Sequence, residues 1–118
     1  MSSGIISCSR DDTLGRAGKT MIDNDIHALV VIEGDRAVGV LSQTDIVLAR
    51  QGRTIEDARA LTVGEIMTEG CATIEADEKL SVAITEMMKR RIHRLVVVEK
   101  GKPVGVLSMT DIVRNLIG

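Results

Sequence analysis

The sequence predicts an α+β fold, α/β-like in its alternation: two tandem β-α-β-β-α repeats packed about a pseudo-two-fold axis. Three observations carry this. A shift of 66 residues lays Ile26–Val47 on Ile92–Val113 without a gap, and 15 of those 22 positions are identical. Within each copy, short β-branched runs alternate with stretches of helical apolar spacing. With 118 residues, 44% of them hydrophobic, the chain suits one compact domain or two very small ones sharing a core.

A short strand opens each copy, around Ile5–Cys8 and Ala72–Ile74. A helix follows, roughly Leu14–Asn24 and Leu80–Arg90, with Leu80, Ala83, Ile84, Met87 and Met88 forming one apolar stripe. Gly15 and Gly18 interrupt the first of these helices. Each costs about 1 kcal/mol against Ala, which predicts a looser helix. The runs Leu29–Ile32 and Val38–Leu41, split by Gly34-Asp35-Arg36, read as a hairpin. Leu95–Val98 and Val104–Leu107 repeat it, with the single proline, Pro103, at the turn exit, where a missing N–H matters least.

A second helix begins at Ser42 and at Ser108. The link from Gly52 to Met67 is polar and partly helical, with Thr62 and Glu65 spaced as a capping box before Ile66. The boundaries expected are 1–52 for the first repeat, 53–66 for the link and lead-in helix, and 67–118 for the second repeat. Neither copy holds enough core to stand alone, so the helical stripes of the two are expected to pack on each other.

Composition narrows the function. Lys plus Arg number 15 against 17 Asp plus Glu, a net charge of −2, which lacks the broad basic face of a nucleic-acid binder. The sequence has no Phe, Tyr or Trp, so no ring is available to stack on a base. The longest apolar run, Ala28–Ile32, is far short of the ~20 residues a membrane-spanning helix needs. No leader pattern is visible, and Cys8 and Cys71 stand alone, which together point to the cytoplasm. Two histidines and two lone cysteines lack metal-ligand spacing.

Both copies resemble the CBS domain, the module named for cystathionine β-synthase, and the pair resembles the tandem module that senses adenosine compounds. The matching residues are VGEIMT (Val63–Thr68), IHRLVVVE (Ile92–Glu99) and GVLSMTDI (Gly105–Ile112), with IHALVVIE and GVLSQTDI in the first copy. The resemblance covers nearly the whole chain. It implies two clefts between the repeats, frequent assembly of two pairs into a disc-like homodimer, and regulation rather than catalysis. It also implies a fused or separate effector domain. Met1 aligns with Met67, so the first copy lacks the helical lead-in that the second has. Either the chain is a fragment of a longer protein, which is the expectation here, or its first cleft is less enclosed.

The candidate sites centre on S-x-T-D, Ser42 to Asp45 and Ser108 to Asp111. A strand runs into a helix N-terminus there, and first-turn N–H groups attract phosphate or ribose oxygens. Read alone, Ser42 with Asp45 is a capping box in which Asp takes the place of Glu. The resemblance assigns Asp45 and Asp111 to the ribose hydroxyls, and Ser42, Thr44, Ser108 and Thr110 to phosphate. It adds His27, His93 and Arg94 as phosphate-reaching groups. The first copy has Ala28 where the second has Arg94, so the two clefts should bind unequally.

By the same resemblance, adenine lies against Ile6, Ile26 and Val106 in the cleft of Asp111, and against Ala72, Ile92 and Val40 in that of Asp45. Each of these residues also reads as plain core. Lys89-Arg90-Arg91 is a further phosphate candidate, or a solvated helix end. Gly18-Lys19-Thr20 ends like a phosphate-binding loop, but Thr13 stands where its leading glycine belongs, and the matching stretch of the second copy is an amphipathic helix.

The reading is therefore a regulatory module, not an enzyme, that requires no cofactor and takes AMP, ADP or ATP as its ligand. The alternative is a ligand-free dimerisation module. No nucleophile with an evident base appears.

Overall fold

The computed structural model describes residues 6–117, so Met1 and Ile5 of the expectations above lie outside them. Residues 6–70 form one compact unit and residues from Cys71 onward another.

In the first unit, β1 (Ser7–Cys8) leads into α1 (Leu14–Asp23), the hairpin β2 (Ala28–Glu33) and β3 (Arg36–Ser42), and α2 (Gln43–Ala49). Three short elements follow, α3 (Ile55–Ala60), α4 (Val63–Ile66) and β4 (Thr68–Glu69). The sheet order is β1-β2-β3-β4, with β1 parallel to β2 and the other pairs antiparallel. In the second unit, β5 (Thr73–Glu75), α5 (Leu80–Arg90), β6 (Arg94–Glu99), β7 (Lys102–Ser108) and α6 (Met109–Ile117) repeat the first five elements. Its described strands run in the order β5-β6-β7.

The two hairpins agree to the residue. Both close on two-residue turns, Gly34-Asp35 and Lys100-Gly101, and both carry a register shift at matching positions, Val31/Ile32 and Val97/Val98. Gly34, Lys100 and Gly101 have positive φ, which a tight turn between twisted strands demands. Pro103 lies opposite Val98 beside that shift, where the ladder is already interrupted.

Each helix lies on its own sheet: Leu14, Ala17 and Met21 of α1 pack with Leu29, Val31 and Leu41. Likewise, Ala83 and Met87 of α5 pack with Leu95. Burial of such a stripe stabilises by about 25 cal/mol per Å². α1 is the helix expected there and runs unbroken through Gly15 and Gly18 from a Thr13 cap whose hydroxyl accepts the Arg16 N–H at 3.2 Å.

Just past the polar link lies β4, a strand the sequence does not announce. Leu14 N–H bonds to the Leu61 carbonyl, and the N–H groups of Val63 and Gly64 bond to the carbonyls of Asp12 and Arg10. These bonds lay the segment before β4 along the entry to α1. Glu65 accepts the Thr62 N–H at 2.8 Å, and that bond holds its carboxyl below the usual range.

Candidate functional site

Each repeat presents the same capped helix start. Ser42 Oγ accepts the Asp45 N–H at 3.1 Å, and Asp45 Oδ2 accepts the Ser42 N–H at 2.8 Å. In the second repeat, Ser108 and Asp111 exchange the same bonds at 3.1 and 2.9 Å. The capping box is thus realised with Asp in place of Glu. It occupies one oxygen of each carboxylate. Oδ1 of Asp45 and of Asp111 accepts no bond among the described residues, so each helix start is capped and still holds an acceptor.

Strand and helix starts are tied together. The carbonyls of His27 and His93 accept the N–H groups of Gln43 and Met109, both at 2.9 Å. Both imidazoles are exposed, as are Thr44 and Thr110 in the first helical turns. Arg94 stands opposite Ser108 on the ladder, where the first repeat pairs Ala28 with Ser42. The side chain of half-buried Arg94 makes no hydrogen bond or ion pair among the described residues. The second repeat thus gathers an unengaged guanidinium, two hydroxyls and a carboxylate at one corner; the first has the hydroxyls and carboxylate alone.

The aliphatic candidates divide. Ile26 packs on the first core, and Ala72 and Ile92 pack on the second, so each has a structural task. Val40 and Val106 are half-buried at equivalent places in β3 and β7, and Ile6, just before β1, is 40% exposed. In the first unit the structure brings Ile26, His27, Ser42 and Asp45 to one end of the hairpin. In the second it does the same with Ile92, His93, Arg94, Ser108 and Asp111.

Gly18-Lys19-Thr20 lies inside α1, where Lys19 pairs with Asp23 at 2.7 Å and the Thr20 hydroxyl donates to the Arg16 carbonyl. A helix presents no row of free N–H groups to a phosphate, so this is no phosphate loop. Of the basic run, Arg90 pairs with Glu86 at 3.1 Å, one turn away on the same helix.

One ionic cluster escaped the sequence. Arg10 bonds to Glu69 through two nitrogens and to Glu33 through a third. It aligns with Ala76, so the duplication gave no signal of it. Cys8 is pushed up to about 11, chiefly by burial and then by the Asp12 charge, and burial also raises Cys71.

A protein-family model for the CBS domain matches residues 1–52 and 63–118. The chain belongs to the CBS-domain family. Its two repeats form a tandem CBS pair, a regulatory module, on the mixed α+β fold expected. Hypoxic response protein 1 of Mycobacterium tuberculosis is 26% identical over 117 residues, 98% of this chain and 81% of that protein. The mitochondrial CBS domain-containing protein CBSX3 of Arabidopsis thaliana is 30% identical, over 93% of this CBS pair and 55% of that protein. The solved CBS-domain structure NE2398 superposes with a TM-score of 0.84 at 26% identity, covering 99% of this chain and 91% of that one. A crystal structure of Hypoxic Response Protein I carries two coordinated zinc ions. Among the described residues of this CBS pair, no three His, Cys, Asp or Glu side chains are grouped to hold a metal.

Proposed function

We propose that this CBS pair is a sensor of an adenosine nucleotide of the AMP, ADP or ATP class. It acts in the cytoplasm as a homodimer and passes its state to an effector domain or partner protein. The observation that carries the reading is the twice-repeated helix start with an unengaged aspartate oxygen, joined in the second repeat by the unpaired Arg94. A carboxylate oxygen there suits a ribose diol, and guanidinium with helix N–H groups suits phosphate. Adenine then rests on aliphatic side chains, since no ring is present. Binding that tightens the pair shifts its conformational equilibrium, and the effector reads the shift.

The test is titration calorimetry of nucleotide-free chain with AMP, ADP, ATP, S-adenosylmethionine and NADH. Without Trp or Tyr, a band near 260 nm in the purified chain reports carried-over nucleotide. Micromolar binding lost in Asp111→Ala supports the reading and its stronger second-repeat site. Binding equal to wild type in both Asp111→Ala and Asp45→Ala overturns the site. A dimer that binds none of the five leaves the ligand-free dimerisation module.

A further inference from the structure

The first unit carries an apolar groove that the S-x-T-D corner does not use. It runs between α1, α2 and α3 and encloses about 610 Å³, a size typical of small-molecule sites. Buried Leu14, Met21 and Ala58 line it, together with half-buried Ile46 and exposed Val47 and Ile55. α1 turns Gly15 and Gly18 toward it, three residues apart on one helical face, and so adds no side chain there. Ser42, Thr44 and Asp45 take no part in the lining.

The charge of the groove is one-sided. Residues 6–70 hold eleven Asp and Glu against seven Lys and Arg, yet no carboxylate lines the groove, whereas Lys19, Arg50 and Arg59 do. All three are exposed, which sets their charges at the mouth and leaves the floor apolar. Two of them are engaged: Lys19 pairs with Asp23, and Arg50 donates to the Arg53 carbonyl. The side chain of Arg59 makes no hydrogen bond or ion pair among the described residues. Its Cβ and Nε lie beside Gly15, each 3.4 Å from where a Cβ would stand.

The duplication does not repeat this groove. Ser81, Ile84, Thr85 and Leu116 stand where the first unit has Gly15, Gly18, Lys19 and Arg50, and no described helix of the second unit corresponds to α3. An apolar trough that ends at a free guanidinium suits a ligand apolar along its length and anionic at one end. One guanidinium balances one negative charge, which a carboxylate carries and a phosphate monoester exceeds.

We propose that the groove binds a free, single-chain alkyl carboxylate. The alkyl chain lies on Leu14, Met21, Ile46 and Ala58, and the carboxylate accepts two N–H bonds from Arg59.

Displacement of the fluorescent fatty acid cis-parinarate tests it, and the chain has no Trp or Tyr to interfere. Decanoate is expected to displace the probe at concentrations at least tenfold lower than 1-decanol. Arg59→Gln removes the charge; it should erase that preference and leave 1-decanol unchanged. Gly18→Leu fills the groove and should weaken both at least tenfold. Val47→Asp, at a 70% exposed wall, should weaken decanoate more than 1-decanol, and it serves if Gly18→Leu fails to fold by circular dichroism. Equal displacement by decanoate and 1-decanol, or no effect of Arg59→Gln, overturns the proposal. So does binding to phosphatidylglycerol vesicles without binding to free decanoate, which makes the face a membrane contact. A chain that binds decanoate only when diluted below its self-association overturns it too, since a second copy then covers the groove. The lining excludes Ser42, Thr44, Asp45 and the second repeat, so the outcome is independent of nucleotide calorimetry.

Discussion

Arg10 holds the Glu69 carboxylate with two nitrogens, at 2.8 and 3.1 Å, while its Nε reaches Glu33 at 3.0 Å. One guanidinium therefore fastens the entry to α1, the end of β2 and the strand β4. A forked cation between two carboxylates fixes direction as well as distance, which lysine cannot do. Glu69 is held below the ordinary glutamate value of 4.5 mainly by its bonds to Arg10.

The sign of the pH dependence follows. A carboxyl whose folded pKa is depressed contributes stability that is present above its unfolded value and is lost as pH falls through the folded one. Acid titration of the melting temperature should decline below about pH 4.5, as Glu69 and Glu65 take up protons. In Glu69→Gln that decline should be shallower, and β4 amides should exchange faster at pH 7. An acid limb identical to wild type would remove Arg10 as the fastener.

Gly39 decides whether β4 fits. A Cβ at that position would stand 2.6 Å from the Thr68 carbonyl oxygen, which is backbone and has no rotamer to yield. Gly39→Ala should therefore cost about 1–3 kcal/mol by denaturant melting, as overpacking does. A loss confined to a few tenths would mean that β4 moves aside freely.

Capping and binding are separable at the S-x-T-D sites. Ser42→Ala and Ser108→Ala remove the hydroxyls that accept the Asp45 and Asp111 N–H groups, and each should cost about 1 kcal/mol of stability. Asp111→Asn keeps an oxygen for the Ser108 N–H but removes the charge. It should melt close to wild type while binding nucleotide at least tenfold more weakly. If stability and affinity fell in step in all three variants, the aspartates would be caps alone.

Cys8 should be a slow thiol. Its pKa of about 11, against an ordinary 9.0, leaves roughly a hundredth of the usual thiolate at neutral pH, and the thiolate is the nucleophile. Iodoacetamide should label it about a hundredfold more slowly in native than in unfolded protein. Asp12→Asn removes the lesser cause and should recover only part of the rate. Equal rates in native and unfolded chain would show that the site opens readily.

Much of the fold is legible because local chemistry repeats. The helical stripe Ala83–Met87, the hairpin turn Lys100-Gly101 and the Ser-to-Asp cap spacing each act within a few residues, and the duplication states each of them twice. The candidate site is legible to the same depth. Asp111 and Ser108 sit together because a capping box brings them together, whether or not a ligand follows. Arg10 and β4 are illegible for the opposite reason. They act across the chain, carry no period, and lie where the two repeats no longer match.

The sequence by itself thus determined the element order, the duplicated helix starts and the asymmetry between Arg94 and Ala28. Only the tertiary structure decided that each helix lies on its own sheet, that residues 61–69 fold onto the first repeat, and that an apolar groove runs between α1, α2 and α3. Turns, caps and stripes are short-range and written in adjacent residues. The closure of Thr68 over Gly39 and the grip of Arg10 on Glu69 depend on distances that only the folded chain sets.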